Sequence, residues 1–224
     1  MVTLSVENIS YSYRTKYQIV PALKEVNCTL QSGKFYALIG KSGSGKTTFL
    51  SLIAGLERPQ SGAILVNGKD LKEMNVDQYR RTQASVIYQN FNLFPLMTVQ
   101  ENVMYPLILN KQTKKQAAQE AEEVLKRVGL DSSYWKRLPS MLSGGEQQRV
   151  AIARALAIHA ELILADEPTG NLDTENSKQI IGLFHQLAQE EGCCVLVVTH
   201  DMEIKKTADV VYNMDSGRLR EEGV

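Results

Sequence analysis

An eight-residue segment rich in glycine and serine matches a phosphate-binding pattern. Residues 40–47 read Gly-Lys-Ser-Gly-Ser-Gly-Lys-Thr and fit G-x-x-x-x-G-K-[ST]. Glycines let successive backbone N–H groups point at phosphate oxygens, and the positive end of a following helix favours the anion. We expect Lys46 to reach the β- and γ-phosphates and Thr47 to give its hydroxyl to Mg²⁺. The segment therefore predicts a binding site for a nucleoside triphosphate.

Two adjacent acidic residues, Asp166 and Glu167, follow the apolar run at residues 162–165. Such a run predicts a buried strand, whose carboxyl end lies beside the phosphate loop. Asp166 is predicted to face Mg²⁺, and Glu167 to be the base that orients and polarises the attacking water. We expect Glu167 to point to the other side of an extended chain from Asp166.

A second glycine-rich segment, Leu-Ser-Gly-Gly-Glu-Gln-Gln-Arg, occupies residues 142–149. Ser143 and Glu146 match the capping-box pattern, so Ser143 is predicted to cap the helix that carries residues 147–157. The serine and the two glycines, Gly144 and Gly145, predict another anion site made of backbone N–H groups at a helix start. One chain thus carries two predicted phosphate sites.

These segments, in this order, resemble one family: the ATP-binding subunits of ABC transporters. The matching motifs run from about Tyr13 to His200 and so cover nearly the whole chain. The resemblance implies ATP and Mg²⁺ as cofactors and hydrolysis of ATP to ADP and phosphate. It also implies that residues 143–145 grip the γ-phosphate bound to a second copy, so that a homodimer encloses ATP between its two chains.

The resemblance assigns several further residues. Tyr13 is similar to the aromatic residue that stacks on adenine, and Gln89 to the glutamine that touches Mg²⁺ or water and senses the membrane partner. Asp173 is expected to couple the two sites, and His200 to contact the γ-phosphate. The full nucleotide-binding prediction is Tyr13, Gly40, Lys41, Ser42, Gly43, Ser44, Gly45, Lys46, Thr47, Thr48, Gln89, Ser143, Gly144, Gly145 and Asp173. The predicted metal ligands are Thr47, Gln89 and Asp166; the predicted catalytic residues are Lys46, Glu167 and His200.

Residues 166–173 read Asp-Glu-Pro-Thr-Gly-Asn-Leu-Asp. This segment resembles the corresponding segment of one ABC subgroup, which includes lipoprotein-release, macrolide-export, cell-division and antimicrobial-peptide-resistance ATPases. The resemblance favours a role in export or in resistance to peptides and drugs. The cargo stays open: a lipoprotein, a peptide, a drug, or none at all if the subunit works by mechanical coupling.

The membrane-spanning part of such a transporter is expected on another chain. The sequence has no run of about eighteen uncharged apolar residues and no signal-peptide pattern. The resemblance implies a separately encoded permease and a place in the cytoplasm at the inner face of the membrane, with indirect membrane contact. Residues 91–97 are too apolar for a simple connection, so we expect part of them in the core and part lining a groove for a short permease helix.

Composition argues against nucleic acid as a partner. Lys and Arg number 25, as do Asp and Glu, so the formal net charge is zero. A soluble ABC ATPase acting on DNA or ribosomes is the main alternative. A third hypothesis is a signalling or structural module that uses nucleotide only to bind a partner, and the presence of Glu167 and His200 argues against it. Three cysteines without a C-x-x-C spacing predict small buried side chains rather than disulfides or a zinc site.

These residues must be positioned by an α/β fold. We predict a P-loop NTPase core with a parallel sheet, an N-terminal antiparallel β subdomain and an inserted helical subdomain. Two antiparallel strands, around residues 4–9 and 26–30, are expected to be joined by a polar, tyrosine-rich turn. The other predicted strands lie at residues 35–39, 62–66, 85–88, 162–165, 195–198 and 210–212. The predicted helices lie at residues 47–54, 99–109, 117–128, 147–157 and 175–188. Residues 1–224 are expected to form one ABC ATPase domain, with residues 1–89 and 159–224 as catalytic core and residues 90–158 as helical subdomain.

Overall fold

Two β-sheets, one antiparallel and one mostly parallel, form the framework of this α/β fold. The computed structural model describes residues 2–222. In these residues the ten strands are β1 (Thr3–Arg14), β2 (Ile19–Gln31), β3 (Phe35–Ile39), β4 (Ser61–Val66), β5 (Lys69–Asp70), β6 (Ala84–Ile87), β7 (Leu162–Asp166), β8 (Cys194–Thr199), β9 (Val210–Asp215) and β10 (Arg218–Glu222). The α-helices of the same residues are α1 (Lys46–Ile53), α2 (Val76–Thr82), α3 (Val99–Leu109), α4 (Lys114–Arg127), α5 (Gly144–Leu156), α6 (Thr174–Gln189) and α7 (Met202–Thr207).

The larger sheet has the strand order β10-β9-β3-β8-β7-β6. Its strands β6, β7, β8, β3 and β9 are parallel, and β10 pairs antiparallel with β9. Both faces are covered: in β7, Ile163 and Ala165 join the hydrophobic cluster of α3–α6, while Leu162 and Leu164 join the cluster that includes α1. A strand buried on both faces must be apolar at every position, which explains the uninterrupted apolar runs. The predicted fold class is confirmed.

The smaller sheet is antiparallel, in the order β2-β1-β4-β5, and its first two strands are longer than predicted. Tyr11 pairs with Leu23 and Tyr13 with Val20, so these tyrosines lie within the ladder. The predicted tyrosine-rich turn is therefore wrong, and only residues 15–18 connect the strands. The register shifts between Val6 and Ser12 interrupt the apolar alternation on which the prediction rests.

Helices α3, α4 and α5 follow one another between β6 and β7 in the chain. The five predicted helices are present, but α2 and α7 have no counterpart in the sequence prediction. In α2 only Tyr79 is buried, and Asn75 caps the helix by accepting from the backbone N–H groups of Asp77 and Gln78. A helix with one buried residue shows no apolar period, so the sequence does not reveal it. Among the described residues, no helix is both long and apolar enough to cross a bilayer.

Asn102 is a fully buried polar residue on α3 that the sequence does not single out. Its Oδ1 accepts from the Phe94 N–H at 2.8 Å, and its Nδ2 lies 3.2, 3.0 and 3.0 Å from the carbonyl oxygens of Phe94, Met97 and Thr98. One side chain thus satisfies several backbone groups of the segment before α3.

Replacing Asn102 with alanine should lower the free energy of unfolding by about 2–4 kcal/mol, because buried backbone groups lose their partner. Urea denaturation followed by circular dichroism measures the change. Asn110→Ala is the matched control, since that amide makes one exposed hydrogen bond to the Arg81 carbonyl and should cost less than about 1 kcal/mol. Equal losses for the two variants would contradict the role given to Asn102.

Candidate active site

A cavity of about 650 Å³ opens at the carboxyl edge of the parallel sheet. The loop between β3 and α1 forms one wall, and residues that follow β6, β7 and β8 form another. The lining residues are Tyr13, Val20, Pro21, Ala22, Gly40, Lys41, Ser42, Gly43, Gly45, Lys46, Thr47, Thr48, Gln89, Asp166, Glu167 and His200. Parallel strands end at the same edge of a sheet, so residues far apart in sequence meet there.

The phosphate-loop pattern forms a tight turn that leads directly into α1. Gly45 caps the helix in a left-handed conformation with φ of 111°, and a Cβ atom there would lie 2.5 Å from the Ala22 carbonyl oxygen. Lys46 is only 9% exposed. Its Nζ donates to the carbonyl oxygens of Gly40 at 2.8 Å and Lys41 at 3.1 Å. The loop thus holds a buried cation against two neutral acceptors.

Ser44 lies within the same loop and is buried. Its Oγ has no hydrogen-bond partner among the residues that the structure describes. Buried side-chain oxygens are seldom left without a partner, and such an atom calls for a water or a ligand. An unpaired hydroxyl beside a buried lysine and a helix N-terminus suits an anion with several acceptor oxygens.

Asp166 ends β7 inside the cavity, next to Thr47. Burial raises the pKa of its carboxyl; a hydrogen bond with Thr47 opposes the rise, the charge of Glu167 adds to it, and Lys46 again opposes it. The hydroxyl of Thr47, the carboxylate of Asp166 and the amide of Gln89 give a set of oxygen donors. Hard oxygen donors are the ligands that Mg²⁺ prefers, so these residues fit that ion.

Glu167 does not continue the extended chain. Its φ is 47°, in the left-handed region, so the prediction that it points away across an extended strand is wrong. Its backbone N–H donates to the Val198 carbonyl at 2.8 Å, and its own carbonyl accepts from Gly170 at 3.1 Å. These bonds enforce a conformation that is uncommon for a residue with a side chain. As a result both carboxylates, Asp166 and Glu167, line one cavity.

The Glu167 carboxylate has two side-chain neighbours from the end of β8. The Thr199 hydroxyl donates to its Oε2 at 3.4 Å, and His200 Nδ1 lies 3.0 Å from a carboxylate oxygen. The Glu167 side chain is 18% exposed and that of His200 is 76% exposed. A partly shielded carboxylate with an exposed imidazole beside it is suited to accepting a proton from water.

Tyr13 is the tyrosine in the lining of this cavity, in the part of the chain that the structure describes. Tyr11 packs edge-on against it, with ring centroids 5.1 Å apart, but only Tyr13 of the two lines the cavity. The Tyr13 hydroxyl lies 3.1 Å from Thr48 Oγ1. Tyr13 thus lines the same cavity as the phosphate loop, and its stacking on adenine stays a prediction.

Residues 143–145 and Asp173 are absent from the lining of this cavity in the described part of the chain. Ser143 caps α5 as predicted: its backbone N–H donates to Glu146 Oε2 at 2.7 Å, and its Oγ accepts from the Glu146 N–H at 3.4 Å. Asp173 caps α6. The chain therefore presents a second helix start apart from the phosphate loop.

The apolar segment at residues 91–97 is divided between the core and the surface. Leu93 packs against the main hydrophobic cluster, whereas Leu96 is 90% exposed. Asn92 and Phe94 line a second cavity of about 350 Å³, together with Tyr88, Arg80, Arg81, Ser85, Val86, Tyr105, Pro106, Leu109, Arg154, Ala155 and Ile158. This division is the one that the sequence predicts.

Arg154 was not identified from sequence. Its guanidinium donates to the carbonyl oxygens of Asn92 at 2.7 Å and Phe91 at 3.0 Å, and it lies 5.8 Å from the centroid of the Phe94 ring. Both carbonyl-bearing residues have positive φ, 57° for Phe91 and 48° for Asn92. Burial lowers the pKa of Arg154. Its place among the apolar residues of α5 is the one feature of the sequence that could have indicated a buried arginine with specific partners.

The cysteines are free, and Cys194 is buried as predicted. Cys28 and Cys193 are only half-buried, so the prediction of full burial is wrong for them. Burial still raises the pKa of Cys28 and Cys194 to about 12 and that of Cys193 to about 11. Thiols with such values stay protonated and unreactive at neutral pH.

Comparison with known proteins gives consistent matches over the whole fold. The family model described as ABC transporter matches residues 23–170. The lipoprotein-releasing system ATP-binding protein LolD of Francisella tularensis is 40% identical over 97% of this chain and 96% of LolD. The macrolide export ATP-binding/permease protein MacB of Rhodopirellula baltica is 40% identical over 95% of this chain, which spans 32% of MacB.

The solved structures of the ABC transporter cassette MJ0796 of Methanocaldococcus jannaschii share this fold. One dimeric structure has a TM-score of 0.91 and 36% identity, covering 98% of this chain and 97% of the cassette. A second dimeric structure, of a post-hydrolysis state with ADP and Pi bound, matches with the same values.

Proposed function

The chain belongs to the ABC transporter family of ATP-binding proteins, and from this premise we propose that two copies clasp two MgATP molecules and drive a separate membrane permease. The chain is an ATP-binding subunit and an ATPase. One observation carries the finer proposal. The phosphate loop, both carboxylates and His200 line one cavity, while the second glycine-rich helix start lies outside it.

Binding of the triphosphate is assigned to the loop at residues 40–48. Lys46 bonds two neutral carbonyl oxygens, so β- and γ-phosphate oxygens would offer it charged acceptors, which form stronger hydrogen bonds. The unpaired Ser44 hydroxyl and the N–H groups at the start of α1 supply further donors. Phosphate binding thus satisfies groups that the chain alone leaves unpaired or weakly paired.

Thr47, Asp166 and Gln89 would hold Mg²⁺, which when bound neutralises charge on the β- and γ-phosphates. All three residues line the same cavity and carry side-chain oxygens, which are the ligands that Mg²⁺ prefers.

Hydrolysis is assigned to Glu167 with His200. Glu167 accepts a proton from water as the water oxygen attacks the γ-phosphorus, and the bond to the β-phosphate oxygen breaks to give ADP and inorganic phosphate. The bonds from Thr199 and His200 hold the Glu167 carboxylate in one orientation. His200 lines the same cavity as the phosphate loop, which supports its assigned contact with the γ-phosphate.

The second half of each site comes from a second copy. Ser143, Gly144 and Gly145 would grip the γ-phosphate bound to the partner, and Asp173 would lie at the seam between the copies. This assignment gives a role to a helix start that the chain's own cavity does not use. The matching MJ0796 cassettes are described as dimeric, which supports the same arrangement here.

The permease partner is proposed to dock on the groove lined by Asn92 and Phe94. Residues 1–89 and 159–224 would act as the catalytic core and residues 90–158 as the helical unit that faces the permease, at the inner face of the membrane. The names of LolD and MacB refer to lipoprotein release and macrolide export. We therefore favour export, or resistance to peptides or drugs, over import.

The two-copy proposal predicts an ATPase rate that depends on protein concentration. Because each chain holds two half-sites, the rate per molecule should rise with concentration until dimers predominate. Phosphate release by the isolated protein with MgATP, measured across a wide concentration range, tests this. A rate per molecule that is constant down to concentrations where the protein is monomeric would show that one copy suffices.

Replacing Tyr13 with alanine should raise the Kd for ATP by about five- to a hundredfold, the range expected for one lost base–aromatic stack. Tyr13→Phe should bind nearly as well as the original, because it keeps the ring and loses only the contact with Thr48. Fluorescent-nucleotide displacement measures both. Tyr17→Ala, at a tyrosine that is 94% exposed, is the control; equal effects at positions 13 and 17 would refute stacking by Tyr13.

A further inference from the structure

The glycine-rich start of α5 packs against the first turn of α6 in the same chain. A Cβ atom at position 145 would lie 2.7 Å from both Cγ and Oδ1 of Asn176. A Cβ atom at position 144 would lie 3.5 Å from the carbonyl oxygen of Asn171. Gly145 thus has no room for a side chain unless Asn176 moves. Gly145 therefore allows the close contact with Asn176 and also leaves the backbone N–H groups of the helix start open.

The same asparagine holds the Asp173 carboxylate by two hydrogen bonds. The Asn176 backbone N–H donates to Asp173 Oδ1 at 2.9 Å, and its Nδ2 donates to Asp173 Oδ2 at 2.7 Å. Both bonds lower the pKa of the Asp173 carboxyl, the backbone bond more than the side-chain bond. The carboxylate is therefore ionised and fixed in orientation at neutral pH.

Ordinary helix capping accounts for only one of these bonds. An aspartate cap needs the backbone N–H of the residue three positions on, which is the bond to Oδ1. The bond from Nδ2 and the contact with Gly145 lie outside that requirement. The whole planar amide of Asn176 lies against Gly145, where a Cβ atom would come 2.7 Å from Cγ and Oδ1 and 3.1 Å from Nδ2. The same Nδ2 donates to Asp173, so one amide contacts both features.

We propose that Asn176 is a positioning residue that locks the Asp173 carboxylate and the backbone of residues 143–145 into one unit, so that both meet the second copy's ATP together. This role rests on the proposed dimer. Asn176 itself touches no nucleotide; it sets the geometry of the groups that would. Without the Asn176 amide, the Asp173 carboxylate and the backbone of residues 143–145 would move independently. The entropy lost on ordering both at the interface would then oppose dimerisation.

The first test uses the Glu167→Gln background, in which hydrolysis should not remove the ATP-bound dimer. Adding Asn176→Ala should raise the protein concentration needed for MgATP-driven dimerisation by roughly tenfold, the size of one lost hydrogen bond to a charged group. Analytical ultracentrifugation measures it. Affinity for ADP, which lacks the γ-phosphate that the second copy grips, should be unchanged.

The second test distinguishes positioning from simple packing. Asn176→Asp has nearly the same shape, but near neutral pH it places a second carboxylate against Asp173. Like charges in contact raise the pKa of one of them, so lowering the pH toward about 5 should let a shared proton replace the lost N–H donor. The dimerisation defect of Asn176→Asp, relative to the background at each pH, should shrink, while that of Asn176→Ala should persist.

Gln186→Ala is the matched control, because it removes a primary amide from an exposed position on the same helix. It should leave dimerisation unchanged. If the background protein itself stays monomeric with MgATP, the dimer and this role are both overturned. Suppose instead that the background dimerises. The role of Asn176 is then wrong, and the dimer stands, if Asn176→Ala weakens dimerisation no more than its loss of thermal stability explains. The same conclusion follows if the dimerisation of Asn176→Asp does not recover at low pH.

Discussion

Replacing Glu167 with glutamine is expected to lower the ATP turnover rate by about a hundred- to ten-thousandfold, the usual contribution of a general base. Glutamine keeps the size of the side chain, and its amide can still contact Thr199 and His200, but it cannot accept the proton from water. The backbone conformation at φ of 47° is set by main-chain bonds to Val198 and Gly170, so the substitution should preserve it. Steady-state phosphate release measures the loss.

The same variant should bind ATP as tightly as the original and accumulate as a dimer, because binding no longer leads to hydrolysis. Size-exclusion chromatography with and without MgATP shows this directly. Glu190→Gln, an exposed change near the end of α6 and outside the cavity lining, is the control and should turn over normally. Turnover by Glu167→Gln within a few-fold of the original would exclude Glu167 as the base.

Replacing Lys46 with alanine should raise the Kd for ATP by about thirtyfold to a few thousandfold. The loss of one partner from a buried, hydrogen-bonded charge pair costs about 2–5 kcal/mol, which corresponds to that range. Lys46 is buried and already oriented by the Gly40 and Lys41 carbonyl oxygens, so little of its binding energy is spent on ordering the side chain. Isothermal titration with ATP and with ADP measures the change.

Lys34→Ala is the matched control, because it removes the same charge from an exposed position at the opposite end of β3. It should leave nucleotide affinity unchanged. Circular dichroism shows whether Lys46→Ala keeps the fold, since its two carbonyl acceptors then lose a donor. An affinity equal to that of the control would contradict the phosphate contact assigned to Lys46.

Several features of the fold were outside the reach of sequence reasoning, each for an identifiable reason. The strand that carries Tyr11 and Tyr13 is interrupted by register shifts that hide its alternation. The turn at Glu167 depends on a main-chain bond to Val198, which lies on a different strand. Asn102 and Asn176 look like ordinary polar helix residues until their partners are known.

The sequence by itself determined the features whose chemistry is local. Each of these features is a contiguous stretch of the chain. Glycines in the phosphate loop leave backbone N–H groups open, and Ser143 with Glu146 forms a helix cap. An uninterrupted apolar run forms a strand that is covered on both faces. These patterns predicted the fold class and the family.

Tertiary structure alone decided how the distant residues meet. The pairing of β3 with β8, β8 with β7 and β7 with β6 brings Gln89, Asp166 and His200 to one edge. The contact of Gly145 with Asn176 depends on how α5 packs beside α6. Such contacts are fixed by long-range strand pairing and side-chain packing, whose energy depends on the whole chain and leaves no periodic trace in the residues that make them.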